Sequence, residues 1–314
     1  MARIPQDSIG LVHAKMFWYL NLAHTDRPIN NSYTQRTSKL GRDEMDNSDK
    51  FLQMAHAMNS LREPIFRSAF QALDLPAGSL GLDAGCSIGL QSLLLAEAVA
   101  PGGHITGLDL SAKFLDYAAD MVKQAGLSES ISFRKGDVSQ LPFEEDTFDW
   151  AWSVDLVGYA PMEPVPLLKE LARVVKPGGT LALLAWSSEK LIPGYPAFEA
   201  RLGATTPGIA PFTRGKNPQQ HFPLALGWFR EVGLVDNKAQ TFAGSAFAPL
   251  TDDQRSALLA LFEMRWPGVQ AELTQEDWRE YQRLCLPESP DFILDHPDYY
   301  AYFTYSMFQG KVAE

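Results

Sequence analysis

Apolar positions along this chain fall into short continuous runs and into stripes of helical period, and the two kinds alternate through the central third. Leu80 to Asp83 predicts a short buried strand that runs into a loop whose glycines, Gly85 and Gly89, let backbone approach a ligand where a Cβ would collide. Leu90 to Ala100 predicts a helix stopped by Pro101, Gly102 and Gly103, and His104 to Leu108 a second strand ending at Asp109. Leu110 and Ser111 open a further helix with Phe114, Ala118, Met121, Val122 and Ala125 on one face and Gly126 as its stop. Ile131 to Lys135 and Phe148 to Val154 predict the third and fourth strands. Leu167 to Lys176 predicts an amphipathic helix with Leu167, Leu168, Leu171, Val174 and Val175 inward, and Thr180 to Trp186 the fifth strand. Strand, glycine turn, helix, strand and terminal acid make a βαβ unit suited to a ribose-bearing cofactor, within an α/β fold.

The flanks are patterned differently. Residues 1–47 carry an aromatic patch, Phe17 to Tyr19, and then a polar stretch with few periodic apolar positions. The polar stretch suits a disordered tail, but because the aromatic patch is costly to leave in water, the segment is expected to be an N-terminal lid, with Tyr19 or Tyr33 over the cofactor. Asp49 to Leu75 predicts a helix with Phe51, Met54, Met58 and Leu61 in a stripe, bent or restarted at Pro64. Residues 187–218, rich in Gly, Pro and Thr, follow the fifth strand, and loops at strand C-termini surround the ligand crevice, so this insertion is expected to cover the acceptor side. His221 to Gly233 predicts a helix with Leu224, Trp228, Phe229 and Val232 inward, and Val235 to Phe242 a sixth strand.

Spacing narrows the cofactor. A dinucleotide fingerprint needs glycine at its first, third and sixth positions, which here are Gly85, Ser87 and Leu90, so a nicotinamide cofactor is disfavoured. The remaining pattern, acid-x-G-x-x-x-G from Asp83 to Gly89, resembles the first motif of the class I S-adenosylmethionine-dependent methyltransferases, with Ser87 replacing the family's middle glycine. Gly136, Asp137 and Val138 resemble the family's G-D-[AV] motif, Leu141, Pro142 and Phe143 its L-P-F segment, and Lys176 to Gly179 its K-P-G-G turn. The resemblance covers about Gly78 to Trp186, with the ubiquinone/menaquinone C-methyltransferase type as the nearest branch.

What the resemblance implies is a Rossmann-like, seven-stranded, mostly parallel sheet with its last strand antiparallel and helices on both faces. Tyr302 to Val312 resembles that last strand, which makes residues 249–297 a helical insertion, its helices begun by Thr251 with Gln254 and by Thr274. That insertion either thickens the core or supplies a pocket wall or a homodimer contact. The implied organisation is a lid and helical extension over 1–75, a cofactor core over 76–249, the insertion over 250–297 and the final strand over 298–314. The implied cofactor is S-adenosyl-L-methionine, held by Asp83, Gly85, Cys86, Ser87, Gly89, Asp109, Leu110, Asp137, Val138 and Ser153, with Asp109 on the ribose hydroxyls and Asp137 on the adenine amino group.

Charge and composition then exclude classes. At 314 residues, 46% hydrophobic and 21% charged, the composition is that of a globular enzyme. A net charge of −11 without a Lys/Arg cluster opposes a nucleic-acid substrate. Ser153 to Leu156 also stands where base-methylating relatives carry an N-P-P-Y-like tetrapeptide. No apolar run reaches the ~20 residues of a membrane span, and the two cysteines, Cys86 and Cys285, give neither zinc spacing nor a disulfide framework. The expectation is a cytoplasmic enzyme with no metal and a small, partly apolar organic acceptor. Acceptor-side candidates are Tyr33, Asp155, Tyr159 and His221. A catalytically inactive cofactor-binding scaffold is the alternative.

Overall fold

A computed structural model describes residues 47–158, 163–209 and 217–314. The expected lid with Tyr19 and Tyr33, and Tyr159, lie outside the described residues. The described residues form seven strands: β1 (Leu80–Ala84), β2 (His104–Asp109), β3 (Ile131–Lys135), β4 (Phe148–Val154), β5 (Val175–Lys190), β6 (Val235–Phe247) and β7 (Tyr300–Lys311). They form one sheet in the order β3-β2-β1-β4-β5-β7-β6. The first five run parallel, and β7 is antiparallel to both β5 and β6, as the family resemblance implied.

The helices are α1 (Asn47–Ala57), α2 (Asn59–Leu73), α3 (Leu90–Ala98), α4 (Ala112–Gln124), α5 (Pro164–Arg173), α6 (Pro196–Gly203), α7 (Thr206–Ile209), α8 (Ala225–Glu231), α9 (Asp252–Arg265) and α10 (Gln275–Cys285). They cover both faces of the sheet, giving two cores. Ile65, Phe66 and Phe70 of α2 and Leu258, Leu261 and Phe262 of α9 pack with Trp150, Trp152, Phe303 and Tyr305 on one face. Leu167, Leu168 and Leu171 of α5 and Trp228 and Phe229 of α8 pack with Leu82, Ala151 and Phe308 on the other. A register shift between Phe148 and Trp150 lets Phe148 and Ala151 share that second face while both tryptophans serve the first. Gly81 makes room for this: a Cβ there would fall 2.0 Å from the Trp150 ring, so the indole lies directly against β1 backbone.

Several expectations are corrected. The N-terminal helix breaks at Met58, not at Pro64, which sits inside α2. A proline there removes only the bond to the Ser60 carbonyl, and the buried stripe Leu61, Ile65, Phe66, Ala69 and Phe70 holds the helix together across it. The fifth helix starts earlier, with Pro164 in its first turn where a missing N–H costs nothing. Lys176 to Gly179 and Ser187 to Lys190 belong to β5; β7 pairs with it from Thr180 to Lys190, so the insertion begins only after Lys190. The same pairing extends β6 to Phe247. Only Ala225 to Glu231 of the helix expected over 221–233 is α-helical; Pro218–Gln220 and Phe222–Leu224 are 3-10 turns, their prolines lacking amide donors, and Leu224 is 43% exposed rather than inward. Ala125 is likewise exposed.

Thr251 and Gln254 form the expected capping box and Thr274 caps α10. These helices share the sheet's core rather than forming a core of their own.

Candidate functional site

The C-terminal ends of β1, β2, β3 and β4 lie along one edge of the sheet, and the strand order reverses between β1 and β4, the position where open α/β sheets bind ligands. The loop after β1 turns through three left-handed residues, Gly85 at φ 75°, Ser87 at φ 53° and Gly89 at φ 76°. It is pinned beneath by Gly85 and Cys86 N–H, which donate to the Leu108 carbonyl at 2.7 and 3.0 Å. A Cβ on Gly89 would meet the Ala118 Cβ at 2.9 Å and the Phe133 ring at 3.0 Å, so this turn tolerates no side chain. Ser87 adopts a conformation that costs a non-glycine residue of order 1–3 kcal/mol, and its hydroxyl oxygen is buried without a hydrogen-bond partner.

Asp109, half-buried at the tip of β2, holds this loop. Oδ2 accepts the Ser87 N–H at 2.9 Å and Oδ1 accepts the Ser111 N–H at 3.0 Å. An ionised carboxylate has about four lone-pair sites, so one remains on each oxygen for a pair of vicinal hydroxyls. The sequence reading assigned this residue to the ribose hydroxyls and did not anticipate its clamp on the loop. Asp137 follows β3, and its Oδ1 accepts both Ser139 N–H, at 2.8 Å, and Ser139 Oγ–H, at 2.7 Å. Val138 beside it is 3% exposed, and Leu110 is half-buried.

Three residues of the expected cofactor set lie beneath the crevice. Asp83 is 1% exposed, and its Oδ2 accepts Ser92 Oγ–H at 2.6 Å, tying β1 to α3. Ser153 is equally buried and donates from Oγ to the Ala84 carbonyl at 2.9 Å, fixing β4 against β1. Cys86 is buried within the loop, with its sulfur 3.8 Å from the Ser87 carbonyl. These shape the cradle from below.

Beyond the end of β4, Asp155 adopts φ 47°. Its Oδ1 accepts the Trp186 N–H at 2.9 Å and its Oδ2 accepts Tyr305 O–H at 3.1 Å. Trp186 stacks on Phe303 and lies edge-on to Tyr305, each with centroids 5.3 Å apart, and Tyr305 is backed by Phe66. Trp186 and Tyr305 were missed in the sequence; their signal was the aromatic residues at the expected end of β5 and within the last strand. His221 lies outside this cluster, edge-on to Phe222, which together with Trp228 closes over Gly158. Burial holds its imidazole below the usual histidine range, so it is neutral at pH 7. A groove of about 790 Å³ opens nearby between α5 and α8, lined by Glu163, Val165, Gln220, Leu224, Trp228 and Arg230, and none of the strand-tip residues lines it.

Over the cradle sits α1. Phe51 stacks on Phe114 of α4 with centroids 4.8 Å apart, Asp49 pairs with Lys113 at 2.9 Å, and Phe51 and Ala55 form a small cluster with Ile88 of the loop. Among the described residues no group of three or more His, Cys, Asp or Glu is placed to hold a metal ion, and no helix is long and apolar enough to cross a membrane.

Residues 82–183 match the family profile described as a methyltransferase domain. The chain is 35% identical over 150 residues to a demethylmenaquinone methyltransferase of Bacillus cytotoxicus, 46% of this chain and 61% of the relative. It is 33% identical over 121 residues to methyltransferase GfsG of Streptomyces halstedii, 38% of this chain and 42% of the relative. The chain thus spans about three fifths and two fifths of the lengths of these relatives. Among solved structures, a SAM-dependent methyltransferase from Aquifex aeolicus superposes with a TM-score of 0.48 at 15% identity, over 86% of this chain and 100% of that one. The chain carries a methyltransferase domain from β1 into β5.

Proposed function

We propose that this chain transfers the sulfonium methyl group of S-adenosylmethionine to a small, partly apolar organic acceptor. The observation that carries the reading is Asp109: two backbone donors fix its carboxylate at the rim of the crevice and leave one acceptor site per oxygen, the spacing a ribose diol needs. The cradle from Gly85 to Gly89 leaves backbone bare for the methionine portion, and the Ser87 hydroxyl is a buried polar atom for which that portion is the natural partner. Asp137 would take the adenine amino group, with Leu110 and Val138 against the ring. Asp83, Cys86 and Ser153 hold these groups in place.

When bound, S-adenosylmethionine supplies a methyl carbon that is already electrophilic, so the protein's task is alignment and exclusion of water, with the acceptor atom about 3–3.5 Å from that carbon. The acceptor lone pair forms the new bond to carbon as the carbon–sulfur bond breaks, and the electron pair stays on sulfur. Asp155 stands two residues beyond Ser153 at the tip of β4 and is the candidate to take the proton that an O–H or N–H acceptor loses. The Trp186, Phe303 and Tyr305 rings beside it suit an acceptor with aromatic or apolar surface. A quinone precursor of the kind named for the Bacillus relative belongs to that class. Neutral His221 and the residues Tyr33 and Tyr159 complete the acceptor-side candidates.

One observation favours the alternative of a cofactor-binding protein without transfer: both oxygens of Asp155 already serve structural bonds. Incubation with methyl-labelled S-adenosylmethionine and a panel of hydroquinones, phenols and amines separates the two. Label in product, reduced at least tenfold in Asp155→Ala, is the expected result; cofactor binding without transfer to any acceptor would favour the scaffold.

A further inference from the structure

β6 is the outer strand of the sheet. One side pairs with β7 from Lys238 to Phe247 without a register shift, and among the described residues no other backbone group pairs along the opposite side. Edge strands are normally blunted by charge, proline or a bulge. Here the only charges, Asp236 and Lys238, stand at the beginning, and the nine residues from Ala239 to Phe247, A-Q-T-F-A-G-S-A-F, have neither charge nor proline. Apart from Phe242 and Ala246, which turn into the core, every residue of this run is exposed or half-buried. Phe247 is 62% exposed, and Tyr300, which pairs with it, and Tyr302 are 52% and 38% exposed.

We propose that this edge is the contact of a homodimer, β6 pairing antiparallel with β6 of a second copy about a two-fold axis at Ala243. The run is self-complementary in that register. Ala243 meets its own copy, Thr241 meets Ser245, Ala239 meets Phe247, Phe242 meets Gly244 and Gln240 meets Ala246, so each aromatic side chain faces a small one and hydroxyl faces hydroxyl. Lys238 then stands opposite Ala248, leading toward the exposed Asp252 and Asp253 at the start of α9, and no charge meets its like. With a net charge of −11, two copies repel one another over most of their surfaces, and this uncharged strand is where they can approach. A basic partner would find no carboxylate along the run. The axis also fixes a chemical test, because opposed Cβ atoms in an antiparallel pair lie about 4.5–5.5 Å apart, close enough for a disulfide after small adjustment.

Sedimentation velocity of the full chain from about 5 to 100 µM, a range suited to an interface of modest area, is expected to show a monomer–dimer equilibrium. Ala243→Lys, which opposes two ammonium groups at the axis on an exposed position, should weaken dimerisation at least tenfold with an unchanged circular dichroism spectrum. On mild oxidation Ala243→Cys should cross-link rapidly, and Ser245→Cys, whose copies lie on opposite sides of the axis, should not. The native Cys86 and Cys285 are buried, and burial pushes the Cys285 thiol well up, so they stay silent. A monomer throughout the range, a dimer unaffected by Ala243→Lys, or equal cross-linking of the two cysteine variants would overturn the proposal.

Discussion

The Asp109 carboxylate is asymmetric in its demands: both backbone partners are donors, so each oxygen must accept. Asp109→Asn is therefore not a mild change, because its amide nitrogen must face either Ser87 N–H or Ser111 N–H, and a donor facing a donor costs about 1–3 kcal/mol. We expect Asp109→Asn to lose cofactor affinity as severely as Asp109→Ala and to melt lower than wild type, as calorimetry of both variants would show. At Ser87, removal of the side chain separates strain from contact. Ser87→Gly relieves the left-handed backbone and should raise thermal stability slightly, while loss of the hydroxyl should weaken cofactor binding about three- to tenfold, the worth of roughly 0.5–1.5 kcal/mol for one hydrogen bond. Unchanged affinity would remove that hydroxyl from the cofactor site. The glycines and acids of this cradle were legible in the sequence because their chemistry is local. The Asp155 clamp was not, since its partners, Trp186 and Tyr305, are 31 and 150 residues away in the chain.

Glu199 is a residue that no motif flagged. It sits in the core at 6% exposure, accepts the Leu191 N–H at 2.5 Å, and burial raises its carboxyl above the usual range despite Lys190 at 3.7 Å. A raised folded value favours the protonated form in the native state, so this contribution is complete below the ordinary carboxylate range and is lost as pH rises through the raised value. Glu199→Gln, neutral at every pH, should therefore melt like wild type near pH 4 and higher than wild type at pH 8. A melting-temperature difference that does not grow with pH would contradict this reading.

At the scale of elements, β4 begins and ends where its apolar run does, because a parallel strand buried on both faces writes its boundaries in hydrophobicity. The long antiparallel ribbon of β5, β7 and β6 was underestimated. Ser187 to Lys190 and Ala243 to Ala246 read as polar or small, and only pairing to β7, more than fifty residues beyond β6, makes them strand. α1 reaches the loop after β1 through Phe51 and Ala55, and its Asp49–Lys113 pair with α4 is an exposed ion pair of small worth. Phe51→Ala should accelerate amide exchange in residues 47–57 by tenfold or more while β1 and β4 keep their protection, and should weaken cofactor binding several-fold. Equal exchange in variant and wild type would show that α1 is held by something else.

For the whole molecule, the order of apolar runs predicted an α/β fold and the family resemblance predicted the seven-stranded sheet with its last strand antiparallel, while the motifs single out the strand-tip edge for which cofactor binding is proposed. Residues 250–297, for which core thickening stood beside a pocket wall or a dimer contact, bury the apolar faces of α9 and α10 in the same cluster as α2 and the sheet. No local pattern could reveal this, since an amphipathic helix shows that one face is buried but not against what. The account as a whole depends on one cofactor in one crevice. Isothermal titration of the full chain with S-adenosylmethionine tests it most directly. We expect saturable one-to-one binding that Asp109→Ala weakens at least tenfold, as loss of a charge-assisted hydrogen bond of about 1.5–3 kcal/mol requires; no heat up to millimolar ligand, or equal affinity in the two proteins, would contradict it.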